Sequence, residues 1–353
     1  PNVKEIRILD CYLNNMKKIL NIKKNTLSKK ILIKLCRKIG FEIIDQNNLT
    51  IPTRGKKIHD NLNILNKKLI SLPLGEIKVT RKIKKVLIIL RTFTRENKLL
   101  SQNKKRLFEK EKKEYTLRSV KSLCKNLSFA KKHFSQLNFS FKIIDDNSTK
   151  ETKNRIKKIC NKEKIKFEMD NLNINKYKNK MKFKNNSRMI DHNCHIFQSK
   201  EFALNSDCDL IYFVEDDYIH NEDALIEMIY TFQKLSTLFK NDVILCPSDY
   251  PYLYSKFEKT NILIGYNKHW RKINESLCTY MISKKALKKY WSYYEDMFLN
   301  NYDPYEKPLH KLYKKINCFS PMPSLAMHLT NINSIYGLSP LLDWVKLWKK
   351  NKY

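Results

Sequence analysis

The 353-residue chain reads as an α/β protein, a mixed sheet flanked by helices, with a small, basic, mainly helical segment ahead of it. Three observations predict this. Short apolar runs at Val86–Leu90 and Leu210–Val214 have the length and continuity of strands buried on both faces, and Phe139–Ile144, interrupted by Ser140 and Lys142, has the length of a strand. Between them lie stretches whose apolar residues recur at helical spacing, such as Leu117, Val120, Leu123, Cys124 and Leu127. Each run also ends abruptly in polar or acidic residues, and ligands of open α/β sheets bind beyond the carboxyl ends of the strands.

Taken in order, residues 1–82 form the basic segment, with 19 Lys and Arg against 6 Asp and Glu, a balance of +13. Ile31, Leu32, Ile33, Leu35 and Cys36 predict a short helix ending near Gly40; Phe41, Ile43 and Ile44 suggest a strand, and Thr50–Gly55 and Pro73–Gly75 read as breaks. The segment reads either as an appendage with solvated lysines or as a surface for anionic lipid. The main domain is expected over 83–335 and a Trp- and Lys-rich tail over 336–353, where Trp344 and Trp348 suit either a membrane interface or packing on the domain. The first strand runs into Arg91-Thr92-Phe93-Thr94-Arg95 with no G-x-G-x-x-G after it, so a dinucleotide fingerprint is absent. Residues 98–114 read as an exposed, Lys- and Glu-rich insert, and a helix follows from Thr116 to about Phe134. The second strand ends in Asp145-Asp146-Asn147-Ser148-Thr149; a carboxylate there can accept a base N–H or a ribose hydroxyl, while Ser148 or Thr149 caps the helix Lys150–Cys160. Ile165–Phe167 suggests a third strand, 171–186 an Asn- and Lys-rich loop, and 191–206 a helix.

Leu210–Val214 then runs into Glu215-Asp216-Asp217. Three adjacent carboxylates are unfavourable unless something positive neutralises them, and a hard divalent cation shared with phosphate oxygens is the natural partner. In an extended segment Glu215 and Asp217 point one way and Asp216 the other. Asn221 suits the N-cap of a helix from Ala224 to Phe239. The strand Val243–Cys246 leads to Pro247-Ser248-Asp249-Tyr250-Pro251-Tyr252, whose tyrosines suit the faces of sugars. Trp270 reads equally as a sugar-stacking ring or a core residue, and Leu277–Ile282 as a strand entering a helix.

The Glu215-Asp216-Asp217 stretch resembles the DxD motif of GT-A glycosyltransferases, and Asp145-Asp146-Asn147-Ser148 resembles the second-strand ending of their family 2. The resemblance covers roughly residues 83–330 and rests on the order of the motifs. It implies a GT-A fold and a nucleotide-sugar donor, a UDP- or GDP-sugar, whose diphosphate is held by Mn²⁺ or Mg²⁺ on Asp217. It implies that Glu215 and Asp216, with Arg91, Thr92, Asp145, Asp146 and Arg188, face the nucleotide. A proton acceptor for the acceptor hydroxyl is implied just before a late helix; Asp303 ahead of Pro308–Lys315 fits that place best, with Glu275, Glu295 and Asp296 as rivals. His328 matches the late histidine that several of these enzymes place on the ion, and an imidazole beside carboxylates favours Mn²⁺ slightly. The expected acceptor is a glycan or a lipid.

The net charge of +35 sets up a long-range positive field that attracts anionic substrates, nucleic acid or an anionic membrane. The cations are dispersed and no nucleic-acid-binding signature is present, so nucleic acid is not the expected partner. Nine cysteines at irregular spacing, with no C-x-x-C, read as reduced thiols. His192, Cys194 and His195 match no structural zinc spacing. With neither a signal peptide nor an apolar run of about 20 residues, a cytoplasmic protein, peripheral on the inner membrane face if at a membrane at all, is expected. Two further readings stay open: a Mg-dependent nucleotidyltransferase, which would want a Gly-rich phosphate loop in a chain of only 5 glycines, and a basic, non-catalytic protein on nucleic acid or anionic membrane.

Overall fold

The computed structural model describes residues 27–41, 68–71, 75–95, 106–184, 187–255, 258–331 and 334–353. It divides into two compact units, Pro1–Lys57 and Ile58–Tyr353. In the first unit the described element is helix α1 (Leu27–Lys38), longer at its start than the apolar cluster around Ile33 predicts. The strand expected at Phe41–Ile44 and the break at Thr50–Gly55 fall outside the described residues, apart from Phe41.

The second unit opens with a hairpin, β1 (Lys68–Ser71) and β2 (Gly75–Lys78). The α/β body follows: β3 (Lys85–Thr92), α2 (Lys112–His133), β4 (Asn138–Asp145), α3 (Lys150–Lys162), β5 (Glu168–Asn171), a single turn α4 (Ile174–Tyr177), α5 (Ser187–Asn205) and β6 (Leu210–Glu215). Beyond the acids come β7 (Tyr218–His220), α6 (Ala224–Leu238), β8 (Ile244–Leu245), β9 (Ile262–Ile264), β10 (His269–Ile273) and β11 (Tyr280–Ser283). The chain ends with α7 (Lys284–Lys289), α8 (Trp291–Leu299), α9 (Lys307–Tyr313), β12 (Cys318–Met322), β13 (Ala326–His328) and α10 (Trp344–Lys350).

Nine strands form one sheet in the order β5-β4-β3-β6-β11-β8-β12-β10-β9. The half from β5 to β6 is parallel, and β11 joins β6 antiparallel, so the sheet is mixed as expected. Successive residues of β3 alternate between two cores, which explains its unbroken apolar reading. Val86, Ile88 and Leu90 pack with Leu117, Val120 and Leu123 of α2, while Leu87 and Ile89 pack with Ile196 and Ala203 of α5 and Tyr294 of α8. The register places the site: Arg91 lies opposite Glu215 and Thr92 opposite Asp145 at the carboxyl ends of β3, β4 and β6. A separate ribbon of β7 and β13 sets Tyr218 opposite His328.

Several local expectations change. The third strand lies three residues later than Ile165–Phe167. Asn221 does not cap α6; its side chain donates to the Ser324 carbonyl, and Asp223 holds the N-cap position. Thr149 does cap α3, accepting from the Thr152 amide. The tryptophans of the tail pack inward: Phe108 stacks on Trp348 at 4.3 Å and Arg118 lies 4.1 Å over that ring.

Trp270 is fully buried and is a core residue, not a sugar platform. Its indole N–H donates to Glu227 at 2.9 Å, and the same carboxylate accepts from the amides of Tyr266 and Asn267 and from Thr231. Gly265 is required beside it, because a Cβ would meet the Trp270 ring and Thr231. Replacing Glu227 by Ala strands the Trp270 indole N–H in the core and takes the carboxylate from the Asn267 amide, while the Tyr266 amide keeps Thr231. The expected loss is about 3–5 kcal/mol, read in urea or thermal unfolding; a loss below about 1 kcal/mol would contradict this account. Tyr250 and Tyr252 are likewise buried, ring against ring, so the loop after β8 is packed inward where the sequence suggested a sugar platform.

Candidate functional site

At the end of β6 the three acids separate into three environments. Glu215 continues the strand and takes Arg91 at 2.9 Å and the Thr279 hydroxyl at 3.2 Å. Asp216 turns into the protein, where it accepts from the Phe93 amide (2.9 Å), the Thr116 hydroxyl (2.7 Å) and the Lys112 ammonium (2.6 Å). Asp216 is therefore a latch between β3, α2 and β6, and its carboxylate is fully engaged by the protein. Asp217 receives Arg106 at 2.9 Å on one oxygen, with Lys112 at 3.8 Å, and its other oxygen lies 3.6 Å from His328 Nε2.

Sequence reading placed Arg106 and Lys112 in a solvated insert. Both are instead buried cations of the site. The reason is electrostatic: three adjacent carboxylates need positive charge, and α2 delivers Lys112 from its first turn while the loop ahead of it delivers Arg106. Residues 96–105 of that insert lie outside the described residues.

His328 is fixed from two sides. Its Nδ1 lies 2.7 Å from the Tyr336 carbonyl oxygen, so that nitrogen carries the proton it donates, and its ring stacks on Tyr218 at 4.7 Å. The Nε2 edge is left facing Asp217. Burial alone would push the imidazolium down, but Asp217 and the Tyr336 carbonyl outweigh it, and the net shift is upward. Burial likewise opposes ionisation of Asp217, yet Lys112, His328 and Arg106 hold its carboxyl well below the usual range.

The second strand end resolves the two aspartates. Asp145 is fully buried, accepting from Thr92 (2.7 Å), the Ser148 amide (2.9 Å) and Lys153 (2.9 Å). Thr92 and Asp145 are thus tied to each other across the ends of β3 and β4. Asp146 is buried as well, only 7% exposed, and its carboxyl is pushed up to about 6 by burial and by Asp191. Arg188 stands in the first turn of α5 beside Asp191. His192 and His195 of the same helix are pushed down to about 3, chiefly by burial; His195 Nε2 meets the Ile144 carbonyl at 2.7 Å.

The late acids fall differently from expectation. Asp303 is exposed in its turn, and no side-chain hydrogen bond or ion pair engages it among the described residues. Asp296 is taken up by Tyr302 and Asn300 at the end of α8. Glu275 accepts from the Tyr336 hydroxyl at 3.1 Å, behind the carbonyl that fixes His328. The acid that faces the cluster is Glu306, the N-cap residue of α9. Burial pushes its carboxyl up to about 7, with Glu215 adding to the shift and His328 and Arg91 opposing it. Glu306 lies three residues beyond Asp303, directly at the start of the helix. The signal was present in Tyr305-Glu306-Lys307-Pro308, since Pro favours the first helical turn and makes Glu306 the residue at its mouth.

Three buried polar atoms around this cluster lack a protein partner: Thr94 Oγ1, Arg106 Nε and the Tyr305 hydroxyl. Buried polar groups are satisfied as a rule, so each marks a place for a ligand or water. Among the described residues no three His, Cys, Asp or Glu side chains gather as a metal cage. Asp217 and His328 therefore offer two protein ligands, an open set that fits a cation whose other positions go to phosphate and water.

The sheet order and the acids at the end of β6 make this the mixed α/β sheet flanked by helices that the order of the motifs predicts. No family model matches the sequence, and neither does any curated protein. Among solved structures the chain is similar to S. aureus TarS, with 13% identity over 67% of this chain and 60% of that one and a TM-score of 0.37. It is similar to the galactosyltransferase LgtC, at 10% identity over 66% and 72% and a TM-score of 0.33. It is also similar to the inositol-1-phosphate CTP transferase of T. maritima, at 12% identity over 76% and 96% and a TM-score of 0.35. The chain spans 60% of the first of these and 29% of a longer TarS structure. These likenesses are distant, and no substrate or residue role follows from them.

Proposed function

We propose that this chain is a hexosyltransferase-type glycosyltransferase, moving a sugar from a nucleotide-sugar donor to the hydroxyl of a glycan or lipid acceptor with a divalent cation. The observation that carries the reading is the pairing of Asp217 with His328, whose Nδ1 is held by the Tyr336 carbonyl and whose Nε2 faces the carboxylate. A histidine fixed in this way presents a ligand lone pair when neutral. Asp217 and His328 would hold Mn²⁺ or Mg²⁺, which supplies Lewis acidity to the leaving diphosphate.

The protein's own groups do the rest. Arg106 and Lys112 add fixed positive charge beside Asp217, where the diphosphate gains negative charge as its bond to the anomeric carbon breaks. Arg91 holds Glu215 at the strand end, and Asp146 would accept a hydrogen bond from the base or ribose of a UDP- or GDP-sugar. Glu306 takes the proton as the acceptor oxygen bonds to the anomeric carbon, and a carboxyl near 7 is matched to that task at neutral pH.

Calorimetric titration of UDP and GDP into the protein, with Mn²⁺ and then with EDTA, tests this. The expected result is binding of one nucleotide that needs the metal and disappears with the chelator. Tight nucleotide binding that ignores EDTA would remove the cation from the reading, and no binding of either nucleotide would sink it.

A further inference from the structure

Helix α1 carries an exposed apolar face. Leu27, Ile31, Leu32, Leu35 and Ile39 are 76%, 57%, 44%, 59% and 66% exposed, and Phe41 just beyond is 68% exposed. On a 3.6-residue period Ile31, Leu35, Ile39 and Leu32 fall within one arc of about 100°. Lys34 and Lys38, both exposed, border that arc on one side. Five of the twelve residues of α1 are Lys or Arg and none is Asp or Glu. A soluble helix rarely leaves so much branched apolar surface in water, because each such side chain gains by burial.

Charge decides what covers it. A second copy of this chain would bring its own lysines against these ones, and each chain carries +35. The segment 1–82 is itself at +13, so the complementary surface is anionic. It must also be apolar just beneath its charges, since the lysines border the leucine and isoleucine face directly. A bilayer with acidic headgroups has that layering, and a short helix with an apolar face and a Lys/Arg margin lies in its plane. No described helix is long and apolar enough to cross a membrane, so the contact is with one face of the bilayer. We propose that α1 docks the protein on an anionic membrane surface, its Ile31–Leu35–Ile39 face sunk to the acyl boundary and its cations among the headgroups. This goes beyond the catalytic reading and does not depend on it.

The test is co-sedimentation of the full chain with vesicles of phosphatidylcholine alone or mixed with phosphatidylglycerol. Binding is expected only to the mixed vesicles, weakening as salt rises. Ile31→Ala with Leu35→Ala keeps helix propensity while removing the face, and should weaken binding at least about tenfold. Lys34→Glu with Lys38→Glu should weaken it by about fivefold or more per side chain. The thermal midpoint of each variant should match the parent, since these side chains are exposed. Failure of the parent chain to bind the mixed vesicles overturns the proposal, as does binding that survives the alanine pair, which would trace it to the rest of the basic surface. A lowered thermal midpoint in the alanine variant would show the face packed within the chain. Self-association abolished by that variant, without vesicle binding, would assign it to a second copy.

Discussion

Asp217→Asn is expected to reduce sugar transfer by about a thousandfold or more and to abolish metal-dependent nucleotide binding. The carboxylate is asked to do two things that an amide does poorly. One oxygen faces His328 at 3.6 Å, where the cation would be shared, and the other holds Arg106 at 2.9 Å. Asparagine presents a neutral oxygen to the metal and cannot balance Arg106, so a buried cation is left short of its counter-charge at some cost in stability. That second effect calls for a companion. His328→Ala removes the other ligand and leaves the Arg106–Asp217–Lys112 ion pairs intact, so its fold should hold. Its loss of activity should be partly recovered at high Mn²⁺, whereas Asp217→Asn should not recover. Nucleotide titration with and without EDTA reads both. Full activity in His328→Ala at low metal would take the histidine off the ion and leave the cation with a single protein ligand.

What the sequence made legible was local. An apolar run ending in Glu215-Asp216-Asp217 could be recognised because strand burial and the site are written in adjacent residues. The pairing of Arg91 with Glu215 follows once the two runs are set parallel, since both lie one step past the last apolar position. What stayed hidden depends on distance along the chain. Lys112 and Arg106 meet acids more than 100 residues away, in a stretch whose mixture of Lys and Glu looks identical to a solvated face. The tyrosines at 250 and 252 suit the faces of sugars and Trp270 suits a sugar or the core equally, because an aromatic in a sugar site and an aromatic in the core have the same sequence signature; all three are buried. Asp145 and Asp146 illustrate the finest grain of this problem. Adjacent residues of one strand end have opposite directions, so the same motif ties Asp145 to Thr92 and Lys153 and sets Asp146 against Asn147, with both acids buried.

Glu306→Gln separates chemistry from folding. As the proton acceptor, Glu306 must be ionised to work, and its carboxyl is pushed up to about 7 by burial and by Glu215. In the parent protein kcat/KM should therefore rise with pH to a plateau, with the ascending limb near or below 7, because a bound cation can only draw the carboxyl down. In Glu306→Gln the limb should vanish and the plateau fall by about 10²–10⁴-fold, with nucleotide affinity little changed. Stability should move the other way. A carboxyl whose folded value is raised above its unfolded value binds more protons in the native state between the two values, so its ionisation costs stability as pH climbs from about 4.5 through about 7. Glutamine carries no such cost. The variant should equal the parent at low pH and exceed it at pH 8 by about 1–3 kcal/mol, a few degrees in thermal midpoint. Asp303→Asn, altering the exposed acid three residues earlier, should change neither property. If Asp303→Asn instead removed the ascending limb and Glu306→Gln left it in place, the proton would pass to the turn before Pro304 and the role of Glu306 would be electrostatic alone.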